Sequence, residues 1–221
     1  MTRLNKFLAE RTGISRREAD NAIEQGKVLV NGEKPILGAQ ITPDDDIQYD
    51  GRKISHSVEH TTILLNKPVG YLCSRRSQGG NKTIYDILPE KFHNLKPAGR
   101  LDRDSSGLVL LTSDGDLAYQ TTHPKFAKTK IYEIELDKTL EPLHQQMISD
   151  HGIELTDGNS KLTLEKFTPV RWRVTMHEGR NRQIRRTFAA LGYTVTKLHR
   201  TNFGSYALDG LKVGLWREIH P

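Results

Sequence analysis

Two continuous apolar stretches, TTILLN (Thr61–Asn66) and GLVLLT (Gly107–Thr112), constrain the fold more than any other feature of the chain. A short apolar run bounded by turn residues reads as a buried strand. The first run ends at Lys67-Pro68, and the second follows a loop rich in Gly and Ser. Two further segments alternate. In KIYEIEL, Ile131, Glu133 and Glu135 point one way and Tyr132, Ile134 and Leu136 the other. In RWRVTMHE, Trp172, Val174 and Met176 share a face. Period two marks a strand with one covered side. Helices are expected at Leu117–Thr122, at Thr139–Asp150 with Leu140, Leu143 and Met147 aligned, and at Asn181–Leu191 with Ile184, Phe188 and Leu191 aligned. Gly152 and Gly192 stand where C′ glycines belong. Strands outnumber helices, and some meet through hairpin-like connections. The expected class is α+β, with a mixed, largely antiparallel sheet and flanking helices.

A smaller unit precedes this one. Leu4, Phe7 and Leu8 follow helical spacing, and Gly13 ends that helix. Ser15 and Glu18 have the capping-box form S-x-x-E and open a second helix carrying Ala19, Ala22 and Ile23. KVLVNGEKP reads as a strand entering an Asn31-Gly32 hairpin turn, and DIQYDGRKI turns at Asp50-Gly51. The pattern of two helices followed by a small sheet resembles the RNA-binding domain first seen in ribosomal protein S-four. RLNKFL, SRREADNAIEQGKVLVNGEKP and the spacing between them carry that resemblance. It implies that Lys6, Arg16, Arg17 and Lys27 face structured RNA. The expected division is residues 1–58, including a linker, and residues 59–221.

Charge points the same way. The chain of 221 residues has a formal net charge of +6. Such a surplus suits a polyanionic partner. Residues 1–58 hold nine Lys/Arg and nine Asp/Glu, so the surplus lies downstream. Gly179–Arg200 carries six basic residues and no acid. The acids at Asp44, Asp45 and Asp46 do not oppose RNA binding by the first unit, because the phosphate contribution depends on clustered rather than net charge. Within SHSVEH, His56 and His60 are four apart beside Glu59, but no further ligand lies near in sequence, so no metal site is expected. Cys73 is the only cysteine. It has no base partner in the sequence and reads as a small buried residue. MTRLNKFLAERTG has no apolar signal region, and no apolar run reaches the length of a membrane span. A cytoplasmic monomer is the default expectation.

The chain lacks the P-loop, dinucleotide, nucleophile-elbow, zincin and C-x-x-C signatures. What remains is carboxylate chemistry among cations, concentrated in GRLDRDSSGLVLLTSDGD (Gly99–Asp116). An arginine beside Asp102 would keep it ionised. By spacing alone, Asp102 reads as a turn residue or as a nucleophile or base. Asp104, Asp114 and Asp116 read as turn and capping residues.

GRLDRDSSGLVLLTSDGDLA resembles the central motif of the RsuA-type pseudouridine synthases. LNKPVGYLCS (Leu65–Ser74) resembles their first motif, EGRNRQIRRTFAALGYTVTKLHRTNFG (Glu178–Gly204) their third, and KTKIYEIEL the strand carrying their active-site tyrosine. The motifs stand in the family's order behind the expected RNA-binding unit, so the likeness spans nearly the whole chain. Thr187 departs from the pattern where methionine is common, a change expected to affect packing.

The resemblance implies isomerisation of a specific uridine to pseudouridine in ribosomal RNA, with a flipped-out base and no metal or cofactor. Asp102 would be the catalytic aspartate, Arg185 its ion-pair partner and Tyr132 the ring against the base. Ile184 would supply a second apolar contact. Arg100 would occupy the space left by the extruded nucleotide. Lys67 would be a structural or RNA-facing residue, and Arg180, Arg182 and Arg186 would meet RNA. The competing classes are a non-catalytic RNA-binding or ribosome-assembly protein on the same fold, and a carboxylate hydrolase or nuclease.

Overall fold

Local signals bound the N-terminal helices. The computed structural model describes residues 1–56, 60–75, 77 and 79–220. Helix α1 (Leu4–Thr12) ends on Gly13 in the left-handed region. Ser15 caps α2 (Arg16–Glu24), accepting the Glu18 N–H at 3.2 Å while the Glu18 carboxylate accepts the Ser15 N–H at 2.6 Å. Leu4, Phe7, Leu8, Ala19, Ala22 and Ile23 form a core with Val28, Ile41 and Ile47. Short strands β1 (Thr2–Arg3) and β3 (Gln40–Ile41) pair, and β2 (Val28–Val30), β4 (Ile47–Tyr49) and β5 (Arg52–Lys53) form a second sheet.

Asn31 and Gly32 both take positive φ, as the turn requires. The expected hairpin stops at a single Val30–Glu33 bridge, however. Asn31 instead donates to the Asp45 carboxylate at 2.7 Å and accepts the Asp46 N–H at 2.8 Å, which brings β4 beside β2. The Asp50-Gly51 turn joins β4 to β5 as expected. Glu59 of the histidine-containing segment lies outside the described residues.

The second unit is built on one large sheet. Its strands are β6 (Thr62–Lys67), β7 (Lys96–Ala98), β8 (Ser106–Thr112), β9 (Lys130–Leu136), β12 (Thr163–Lys166), β13 (Arg171–Met176), β14 (Val195–Phe203), β15 (Tyr206–Ala207) and β16 (Trp216–Ile219); β10 (Ile153–Leu155) and β11 (Gly158–Ser160) form a separate hairpin. The order across the sheet is β12-β13-β9-β14-β8-β6-β16, with β7 on β8 and β15 on β14. Among the described strands of this sheet, only β8 and β14 pair in parallel. The continuous apolar runs became the central strands β6 and β8, buried along nearly their whole length. The alternating strands bury the expected faces.

Helices α3 (Gly115–Thr122), α4 (Pro142–Gln146) and α5 (Gln183–Ala189) differ in extent from the sequence reading. Helix α3 starts early enough to place Asp116 inside its first turn rather than at a cap. Helix α4 begins at Pro142, whose fixed φ suits a first turn, and runs into a π turn at Met147–His151. Leu143 is 63% exposed, whereas Leu140, ahead of the helix, and Ile148, in the π turn, are buried. Among the described residues, no helix is long and apolar enough to cross a membrane.

The parallel pair is unusually close at one point. A Cβ on Gly107 would lie 2.2 Å from the Arg200 carbonyl oxygen, and its φ of +111° excludes most side chains. Gly107→Ala is expected to destabilise the protein by about 3 kcal/mol. Gly32→Ala, where nothing lies within 4 Å, should lose only about 1 kcal/mol from its left-handed backbone. Urea unfolding of the two variants checks the difference.

Candidate active site

The segment Lys67–Cys73 holds the Asp102 loop by its backbone. The Lys67 ammonium donates to the Ser105 carbonyl at 2.7 Å and to the Pro68 carbonyl at 2.9 Å. The Gly70 N–H donates to the Arg103 carbonyl at 2.7 Å, and the Leu101 N–H donates to the Cys73 sulfur at 3.4 Å. Gly99 lies so close to Phe203 that a Cβ would sit 2.7 Å from the ring. Leu101 is thereby buried, while the neighbouring Asp102 side chain remains 37% exposed. Lys67 is fully buried, which corrects the RNA-facing half of its expected role. Burial pushes its ammonium pKa down, and the Cys73, Asp104 and Asp102 charges oppose that shift. Burial likewise pushes the Cys73 thiol up, in keeping with a packing residue.

Arginines on the α5 segment meet the loop from the other side. Arg182 adopts positive φ just before α5 and lies 3.5 Å from the Asp102 carboxylate. Its two terminal nitrogens also fork onto Asp104 at 3.0 and 2.9 Å. Arg185 donates to the Val195 carbonyl at 2.6 Å and the Asp104 carbonyl at 2.9 Å, with its Nε 3.4 Å from the Asp104 carboxylate. The expected Arg185–Asp102 pair is therefore corrected to Arg182–Asp102. Arg185 is occupied tying α5 to β14 and to the loop backbone. The Arg182 hydrogen bond, aided by the Arg185 and Arg182 charges, holds the Asp104 carboxyl below the ordinary range against opposing desolvation. Asp104, read from sequence as a turn residue, is the point where both arginines converge.

The loop's apolar residue belongs to the main core. Leu101, Tyr132 and Ile184 are all buried in one hydrophobic cluster. Tyr132 is in register with Arg200 of β14, and Arg200 with Gly107 of β8. Arg200 is 2% exposed, donates from Nε to the Leu108 carbonyl at 2.8 Å and stacks on Phe203. Sequence reading placed it only within a basic run, and nothing local marks it as buried.

The other two arginines around the start of α5 also meet acids. Arg186 forks onto Asp157 at 3.0 and 2.7 Å. Arg180 reaches Asp157 and Glu178 and three carbonyls of the Asp157–Asn159 turn. The structure therefore uses Arg180 and Arg186 to join the β10–β11 turn to α5, correcting the expectation that they are available to RNA. Thr187 does more than pack. Its buried hydroxyl meets the Ser160 hydroxyl at 2.7 Å, and Ser160 accepts from Gln183 at 3.1 Å. Arg100 is exposed beside the buried Leu101, and Arg16, Arg17 and Lys27 are exposed on the first unit; none has a carboxylate partner among the described residues. Lys6 lies 3.8 Å from Glu10. No group of three or more His, Cys, Asp or Glu suited to a metal occurs among the described residues.

Comparison with known proteins accords with this arrangement. A family model described as RNA pseudouridylate synthase matches residues 61–190, and an S4 domain model matches residues 2–47. The chain is 37% identical over 230 residues to ribosomal large subunit pseudouridine synthase B of Bacillus subtilis (strain 168), covering 100% of this chain and 93% of that protein. It is 35% identical over 222 residues to ribosomal small subunit pseudouridine synthase A of Yersinia pestis, covering 98% and 94%. A crystal structure of a pseudouridylate synthase superposes with TM-score 0.70 at 34% identity, covering 100% of this chain and 96% of that one.

The Asp104 cluster has a pH signature. A carboxyl whose folded pKa is depressed stabilises the fold above its unfolded value of about 3.9, and that contribution disappears as pH falls through the folded value. Asp104→Asn should therefore lower the urea midpoint at about pH 6, and the gap from the unsubstituted protein should narrow as pH falls below the unfolded value of about 3.9. A gap that stays constant across that range would contradict the assignment.

Proposed function

The chain belongs to the RNA pseudouridylate synthase family, an isomerase family, and from that premise we propose that it converts a uridine of ribosomal RNA to pseudouridine with Asp102 as the catalytic carboxylate. The observation that carries this reading is the placement of Asp102. It is a partly exposed carboxylate, 3.5 Å from a guanidinium, on a loop whose neighbouring residue Leu101 joins Tyr132 and Ile184 in one buried cluster. The reaction breaks the bond between uracil N1 and ribose C1′, turns the base, and joins C1′ to C5. The proton leaving C5 is matched by one gained at N1, so the product is an isomer.

That chemistry asks for a charged carboxylate beside a flat apolar seat. Arg182 sets a positive charge 3.5 Å from the Asp102 carboxylate, and Asp104 restrains Arg182 through a two-pronged contact. The Tyr132 ring and Ile184 support the base. A uridine within a helix cannot reach such a floor without leaving its stack. The exposed Arg100, two residues before Asp102, is suited to the vacated space. Residues 1–58 would hold structured RNA through Arg16, Arg17 and Lys27, with Lys6 beside them, and residues 59–221 would carry catalysis. Relatives named for the large and the small subunit are similarly identical to this chain, at 37% and 35%, so the proposal is ribosomal RNA as a class.

Asp102→Asn should abolish pseudouridine formation in precursor ribosomal RNA while leaving RNA affinity within about two-fold, since every phosphate-facing cation is kept. Pseudouridine mapping with a parallel filter-binding assay checks both. Absence of pseudouridine from wild-type reactions, with RNA still bound, would leave a binding protein instead. Arg16→Glu combined with Arg17→Glu should weaken RNA binding and flatten its salt dependence by about 0.9 in log–log slope for each phosphate no longer neutralised. Turnover at saturating RNA should persist.

A further inference from the structure

The neutralisation of the α5 arginines raises the question of where the catalytic unit keeps available positive charge. From Leu117 to Tyr132 the sequence contains Lys125, Lys128, Lys130 and His123 and no acidic residue. Lys130 is drawn inward, its ammonium bonded to the Lys128 carbonyl at 3.0 Å. Lys125 and Lys128 have no carboxylate partner among the described residues. They sit instead on aromatic rings. Lys125 Nζ is 5.2 Å from the Tyr119 ring centroid and 4.7 Å from that of Phe126, and Lys128 Nζ is 6.0 Å from Phe126.

The rings themselves are exposed and clustered. Tyr119 is 46% and Phe126 37% exposed. Their centroids are 5.7 Å apart, and His123 lies 4.7 Å from Tyr119 and 6.4 Å from Phe126. The backbone fixes the group. His123 Nδ1 accepts the Lys125 N–H at 3.2 Å, and Ala127 turns the chain with a left-handed φ of 41°. None of the three rings belongs to a hydrophobic core cluster.

We propose that Tyr119, His123 and Phe126, with Lys125 and Lys128, form a stacking platform for a single-stranded segment of the RNA substrate outside the target nucleotide. The proposal rests on the reading of the chain as an RNA-modifying enzyme and adds a binding site to it. Exposed rings interleaved with uncompensated cations match the two demands of single-stranded RNA. Bases stack on aromatic faces whatever their identity, and phosphates meet the ammonium groups. Position also fits. Phe126 is six residues before Tyr132, so the platform lies at most about 22 Å from the base seat.

The test uses the full chain and a labelled short oligouridylate, with anisotropy read across a salt series. Tyr119→Ala combined with Phe126→Ala should weaken binding at least ten-fold, because each stacked base contributes at that level. Phe126→Tyr should bind as wild type does. Lys125→Ala should reduce the log–log salt slope by about 0.7. Circular dichroism confirms that these surface variants are folded. Wild-type protein that does not bind the oligonucleotide, or a double variant that binds it equally well, overturns the platform. Turnover on ribosomal RNA is read separately. Oligonucleotide binding without pseudouridine formation would remove the catalytic reading and keep the platform. Normal turnover with unchanged oligonucleotide affinity in the double variant would remove the platform and keep the catalytic reading.

Discussion

A buried ammonium group organises the catalytic unit. Lys67 has no solvent exposure, yet it donates to the carbonyls of Ser105 and Pro68. Removing a cation from water is costly unless acceptors and opposite charge replace the lost hydration. Here two carbonyls supply the acceptors, and Asp102 and Asp104 lie near enough to oppose the downward shift of its pKa. The dependence runs both ways. The loop needs Lys67 to fix its backbone, and Lys67 needs the loop's carbonyl and carboxylates to remain charged indoors. That mutual requirement explains why a loop with two neighbouring acids can be held without exposing its hydrophobic anchor, Leu101.

On the opposite flank, the arginines form a sequence of bridges rather than a uniform basic surface. Arg182 joins Asp104 and Asp102, Arg185 joins the loop to β14, and Arg186 and Arg180 join α5 to the β10–β11 turn. Most of these contacts are partly exposed, where a single ion pair contributes little. Their effect is geometric. Two-pronged arginine contacts restrict orientation as well as distance. The buried hydroxyl pair of Ser160 and Thr187 adds a restraint that water does not weaken.

What the sequence revealed was governed by short-range physics. The Ser15–Glu18 cap, the alternating β9 and β13 and the continuous β6 and β8 runs are decided within a few residues, and each formed as read. Asp102, Tyr132 and Ile184 could be singled out only through family resemblance; Tyr132 and Ile184 share one buried cluster with Leu101. Pairings between distant segments were not legible. Asp157 lies 29 residues from Arg186, and Asp104 lies 78 from Arg182. No local pattern reports that either acid captures an arginine. Nothing local marks Arg200 as buried, and Lys67 could be read as structural or RNA-facing until the sheet closes around it. The phase of α4 was misread because Pro142 sets where the helix begins, overriding the spacing of Leu140, Leu143 and Met147.

The parallel pairing of β8 with β14 has a temporal consequence. Ser106 and Gly107 find their parallel partners only at His199 and Arg200, and Arg185 reaches the Asp104 carbonyl across 81 residues of chain. Closing so long a loop loses conformational entropy before any interaction compensates. During synthesis, the aspartate loop therefore emerges well before the segment that completes its surroundings. A nascent chain released short of β14 would possess the loop but lack the strand and the arginine contacts that hold it, so the loop's final geometry arrives near the end of translation rather than with the motif itself.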